Sequence, residues 1–237
     1  MKARVSLYRP VGLLTVLLAG AVPSAAQDDE KKPDRLLRLL PVGEAPPYVE
    51  KIINGVRVEQ EAPEGAIPPR QVVMLSAQDG QERGNPVRLR LDQLSAPLAV
   101  GPGIIPLHET GASGVNSNPW HKVKASRATH SLAFLWRDPQ EKKWTKARSL
   151  TLADDIRAFP AGRVRFVNVS PYTVGFQFNG KNIKLPPYKN VMQAHTGSVP
   201  LTVALQGKGG TWHKVFDSVL TQTATERTNV VIYRADG

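Results

Sequence analysis

Apolar and polar residues alternate along much of this chain with a period of two, and no segment after residue 26 holds a sustained period of 3.6. The cleanest alternation is Val87-Arg88-Leu89-Arg90-Leu91-Asp92, with apolar residues on one face and charged ones on the other. Val164 and Phe166 alternate with polar neighbours in the same way, up to a turn marked by Pro171. Beyond it, Phe176-Gln177-Phe178 and Ile183-Lys184-Leu185 flank Asn179-Gly180. That dipeptide predicts a two-residue hairpin, because a type I′ turn needs positive φ at both central positions. Asn54-Gly55, between Tyr48–Ile53 and Val56–Glu59, predicts a second one.

Leu36 to Leu40 could be a helical turn or a strand, and Pro41, Pro46 and Pro47 favour the strand. Further strands are expected over 72–75, 98–100, 104–107, 120–125, 132–136, 143–152, 190–194, 199–206, 212–219 and 229–233. Residues 61–70, 79–86 and 110–119 read as loops, Asp138-Pro139 as a turn and 207–210 as a hairpin tip. Residues 153–158 could form one helical turn as a connector. Twenty prolines and nineteen glycines, spread through the chain, suit many short strands and an all-β fold.

The chain carries signs of an internal repeat. Trp120-His121-Lys122-Val123 recurs as Trp212-His213-Lys214-Val215. Each is followed by a run ending in an aromatic residue and arginine, Leu132–Arg137 and Val230–Arg234. Upstream, the segment from Val87 to Leu107 aligns loosely with that from Val164 to Leu185. The expectation is two tandem Ig-like β-sandwich domains, 36–155 and 162–237, with the boundary near Ala153 to Gly162. The run Val164-Arg165-Phe166-Val167-Asn168-Val169-Ser170 resembles the strand-Asn-x-Ser opening of secreted Ig-like sandwich families. One of these is the periplasmic alginate O-acetylation accessory family AlgF. The resemblance implies an accessory binding role in envelope polysaccharide modification, and it transfers no functional residue by position.

The N-terminus reads as an export signal. Lys2, Arg4 and Arg9 precede an apolar run from Val11 to Val22, and Ser24-Ala25-Ala26 offers a cleavage site after Ala26. The alternative is an uncleaved anchor. No later apolar run is long enough for a membrane helix. Residues 27–35 are polar and read as a disordered leader. The absence of cysteine excludes disulfides, thiolate metal sites and a cysteine nucleophile. Together these place the protein in the periplasm or outside a bacterial cell.

The net charge is +11, and +8 after residue 26. From Ile156 to Phe216 there is no acidic residue, while Arg157, Arg163, Arg165, Lys181, Lys184, Lys189, Lys208 and Lys214 all fall there. Such a field attracts anions.

Candidate chemistry is sparse. None of His108, His121, His130, His195 and His213 has metal-ligand spacing, so no metal and no cofactor are expected. No serine sits in a G-x-S-x-G elbow and no glycine loop suits a phosphate. The Trp residues on strands are expected in a core, whereas Tyr172 and Tyr188 follow turn prolines and suit exposed contacts.

The favoured function is therefore non-catalytic binding of an acidic polysaccharide or an envelope protein, through Arg163, Arg165, Tyr172, Lys181, Lys184, Tyr188 and Lys189. Nucleic acid would also suit the charge, but export argues against it. Two alternatives stand beside this reading. One is a secreted hydrolase whose composite site joins His108 and Glu109 to Asp154 and Asp155. The other is an assembly subunit whose N-terminal hairpin completes a neighbour's sheet. The oligomeric state stays open.

Overall fold

The computed structural model describes residues 3–8, 35–78, 81–111, 118–138, 140 and 143–235. The apolar run 11–22, the cleavage point after Ala26, most of the 27–35 leader and Pro139 lie outside the described residues. The protein is all-β, with two short 3₁₀ turns at Trp144–Lys146 and Lys208–Gly210. In chain order the strands are β1 (Ala3–Tyr8), β2 (Leu36–Pro41), β3 (Glu50–Ile53), β4 (Val56–Glu59), β5 (Gln71–Gln78) and β6 (Gln81–Arg88). They continue with β7 (Leu98–Ala99), β8 (Ile104–Glu109), β9 (His121–Lys124), β10 (His130–Arg137) and β11 (Ala147–Ala153). The second half holds β12 (Arg163–Asn168), β13 (Val174–Phe178), β14 (Lys181–Leu185), β15 (Asn190–Ala194), β16 (Gly197–Gln206), β17 (Trp212–Gln222) and β18 (Arg227–Arg234).

Four four-stranded sheets have the orders β6-β5-β8-β9, β11-β10-β2-β7, β1-β18-β12-β15 and β14-β13-β16-β17. Three apolar clusters lie between them. Leu37, Leu39, Val72, Leu107, Val123 and Leu135 fill the space between the first two sheets. Phe166, Phe176, Phe178, Val203, Val230 and Ile232 do the same for the last two. Leu40, Phe134, Trp136, Val167, Val231 and Tyr233 join the two middle sheets to each other.

The middle sheets are thus packed on both faces, and in their central strands β10 and β18 the apolar residues run on almost without alternation. In β10, Ala133 and Leu135 face one cluster while Leu132, Phe134 and Trp136 face the other. In β18, Val230 and Ile232 part from Val231 and Tyr233 in the same way. Strand β12 is buried from Val164 to Asn168 for the same reason.

Both halves repeat one strand order. Strand β2 lies parallel to β10 as β12 lies parallel to β18. Strands β5, β6, β8 and β9 occupy the places of β13, β14, β16 and β17. The repeated tetrapeptides fall in equivalent strands with equivalent partners: His121 stands opposite Leu107, and His213 opposite Leu205. The upstream alignment from Val87 is displaced, because the counterpart of β12 is β2 and not the segment after Val87.

Both Asn-Gly turns form as the sequence predicts, with φ of 53° and 82° at Asn54 and Gly55 and of 49° and 70° at Asn179 and Gly180. The expected 81–86 portion of a turn is strand β6 instead, paired with β5 along its length. Residues 143–146 are not strand: Trp144 opens a 3₁₀ turn that buries its ring before β11 starts.

Candidate functional site

The outer face of the β14-β13-β16-β17 sheet carries a candidate site. Strand alternation sends Phe176, Phe178, Leu201 and Val203 into the core and their neighbours outward. The outward positions are Gly175 and Gln177 on β13, Asn182 and Lys184 on β14, and Thr202 and Ala204 on β16, paired Gly175–Lys184, Gln177–Asn182, Gly175–Ala204 and Gln177–Thr202. Trp212, at the start of β17, lays its six-membered ring over Gly175. A Cβ at residue 175 would stand 2.8 Å from Trp212 Cζ3, so the glycine seats the ring. The indole is 44 % exposed. It walls a shallow groove of about 440 Å³ floored by Gly175 and Ala204 and edged by Gln177, Asn182, Lys184 and Thr202.

Beside the groove, Lys214 donates from Nζ to Asp217 Oδ2 at 3.0 Å, and Thr202 Oγ1 donates to Asp217 Oδ1 at 3.0 Å. These hydrogen bonds, Lys214's first, hold the Asp217 carboxyl below its ordinary range. The groove therefore combines an aromatic plate, two amides, a hydroxyl and the Lys184 cation, with the Lys214–Asp217 pair beside it. That chemistry suits a hydroxylated ring bearing negative charge.

The expected anion-binding residues do not gather in one place. Lys184 lies on this face. Lys181 is exposed on the same strand with the parity of Ile183 and Leu185, which pack towards the core, so it belongs to the opposite face. Arg163 is exposed at the start of β12 in a different sheet, and Lys189 is exposed between β14 and β15. Tyr172 is half-buried against the second core. Tyr188 stacks on Trp136 at 5.9 Å between ring centroids, within the cluster joining the middle sheets.

Arg165 is a buried structural group. Its Nε donates to Asn229 Oδ1 at 2.8 Å, and its terminal nitrogens donate to Ala153 O at 2.7 Å and Asp154 Oδ1 at 2.8 Å. Its guanidinium also lies 4.1 Å from the centroid of Phe159. Burial lowers its pKa, and Asp154 opposes that shift.

The carboxylates of the composite hydrolytic site have other partners. Asp154 pairs with Arg165. Asp155 caps the connecting turn, its Oδ1 accepting from the backbone N–H groups of Arg157 and Ala158. His108 and Glu109 belong to β8 in another sheet. Among the described residues no three His, Asp or Glu side chains converge as a metal site would require. The Asn168-Val169-Ser170 motif also has a structural role. Asn168 Nδ2 donates to the carbonyls of Tyr172, Leu185 and Pro186. Its Oδ1 accepts from the backbone N–H and hydroxyl of Ser170, which ties the turn down.

A second concave surface lies at Arg70, Arg88 and Arg90, in a groove of about 470 Å³ with Ile67 and Leu91. These arginines lie outside the acid-free stretch from Ile156 to Phe216, and Arg88 and Arg90 alternate with apolar residues as ordinary strand positions do, so they carry no distinct signal in the sequence. Trp212 was also missed as a contact. Its counterpart, Trp120, is half-buried and donates from Nε1 to Trp144 O at 2.8 Å, and nothing within the shared tetrapeptide separates the two. The signal lay in Gly175, a small residue in the alternating strand facing Trp212. No family model and no curated protein matches this chain.

Proposed function

We propose that this protein is a non-catalytic, extracytoplasmic binder of an acidic polysaccharide, with uronic-acid units stacking on Trp212. The support is the exposed indole seated on Gly175 beside Gln177, Asn182 and Lys184. Sugar C–H faces stack on such a ring, the amides and Thr202 read hydroxyls, and Lys184 meets the carboxylate. The reading includes removal of residues 1–26 on export. It also includes two tandem sandwich units, Ig-like in layering. In strand order they differ from an immunoglobulin constant domain, since the first strand of each unit lies parallel beside a late one in the same sheet, β2 beside β10 and β12 beside β18. An accessory role in envelope polysaccharide modification fits both the binding face and the resemblance in the sequence.

The test is retention of the exported protein on a polyuronate in rising salt. Wild type is retained and released by salt. Trp212→Ala weakens binding by about tenfold or more, the scale of one aromatic contact. Gly175→Ala does the same by pushing the ring off its seat, and Arg88→Ala/Arg90→Ala leaves binding unchanged. Equal retention of wild type and Trp212→Ala overturns the site. Loss only in the arginine pair moves binding to the other groove.

A further inference from the structure

The repeated strand order exposes one asymmetry. In the first half, β11 follows β10 in the chain and pairs antiparallel along its outer edge. In the second half the equivalent place beside β18 is taken by β1, also antiparallel, with Val5 opposite Ile232 and Leu7 opposite Val230. That segment lies within the export signal. Without it, β18 becomes an edge strand whose residues Val230 to Tyr233 belong to two apolar clusters. A row of β18 backbone N–H and C=O groups would then lack its strand partner.

The chain carries a second incomplete element. Among the described residues, strands β3 and β4 pair only with each other, and every residue in them is exposed. Ile52 is 73 % exposed and Val56 63 %, with Tyr48, Ile53 and Val58 also open. A two-stranded hairpin standing alone is marginal in water, and this apolar surface marks a contact. Its sequence pattern matches the segment it would replace: Val56-Arg57-Val58 alternates as Val5-Ser6-Leu7 does.

We infer that, once residues 1–26 are removed, the β3–β4 hairpin of a second copy of this chain adds to β18 and completes the sheet. The inference rests on the proposed removal of the leader and is independent of glycan binding. Because donor and acceptor surfaces differ, the contact runs head to tail and closes as a ring or extends as a filament.

The experiment takes the protein exported by cells, confirms its N-terminus by sequencing, and follows sedimentation over a wide concentration range with amide exchange of residues 228–234. Wild type forms larger species as concentration rises. Val58→Asp and, separately, Ile52→Lys sediment as monomers with native circular dichroism, since both positions are exposed. In those monomers the outer-edge amides of β18 exchange roughly tenfold faster or more than in the assembly. A peptide of residues 3–8 protects them again and disperses the wild-type assembly. Any of four results overturns the inference: Met1 retained on the exported protein, monomers at every concentration, assembly indifferent to both substitutions, or β18 amides equally slow in monomer and assembly.

Discussion

Arg165 shows how a charge inside a β-structure is held. Its side chain is 2 % exposed and that of Asp154 18 %. Arg227 reinforces the same corner by donating to the carbonyls of Asp154 and Phe159 at 2.7 Å and 3.3 Å. Removing one partner of a buried pair costs more than the pair contributes, because the remaining charge stays in a poorly solvating place. Asp154→Ala is therefore expected to destabilise the protein by about 3 kcal/mol, near the lower end for such losses because Arg165 keeps its bonds to Ala153 and Asn229. Asp155→Ala removes only the cap of a turn and costs about 1 kcal/mol. Urea unfolding of the two variants checks the order, and equal costs would mean that Arg165 does not depend on Asp154.

At the scale of the element, β9 links a titrating group to packing. His121 stands at its start, with Nε2 2.9 Å from Ser149 Oγ of β11 and its ring edge-on to Trp120. Burial lowers its pKa below the ordinary 6.5. The unfolded chain then binds a proton that the folded one resists, so the full stability is present above 6.5 and falls as pH drops from there through the folded pKa. His121→Gln is expected to flatten that part of the stability curve, measured as urea midpoints from pH 7 to about 5. Strands of this kind were legible where the pattern is local. The two Asn-Gly hairpins and the repeated Trp-His-Lys-Val segments follow from neighbours in sequence, whereas the alternating run from Val87 to Asp92 keeps Val87 and Leu89 buried but leaves the strand after Arg88 and turns at Leu91-Asp92. What the sequence obscured is non-local. Alternation in β12 suggested that Arg163 and Arg165 share a solvent face, but a second sheet covers that face and only Arg163 at its end escapes. Trp212 is open and Trp120 half-buried because of Gly175 and Trp144, each far away along the chain. The match between β2 and β12 survives in their pairing and not in their residues, so the upstream alignment slid to Val87.

For the whole molecule, the decisive layer is the middle one. Leu40, Val42, Leu132, Phe134, Trp136, Val167, Val169, Val231 and Tyr233 are buried between the two halves. Each large side chain there contributes about 1.5–3 kcal/mol by leaving water, and together they match or exceed the net stability of an ordinary domain, about 5–15 kcal/mol. Pulling the halves apart would forfeit most of that, so neither half gains by staying folded alone. The expected outcome is one calorimetric transition for the protein, despite its repeated strand order. Phe134→Ala leaves a cavity in this layer and costs about 3–5 kcal/mol. Because the layer is shared, the loss should reach both outer sheets. Amides of β9 in the first half and of β17 in the second should lose protection by the same factor in the globally unfolding regime. A variant in which β9 weakens while β17 keeps its wild-type protection would show two independent sandwiches that merely touch, and the middle layer would then be a contact surface and not a third core.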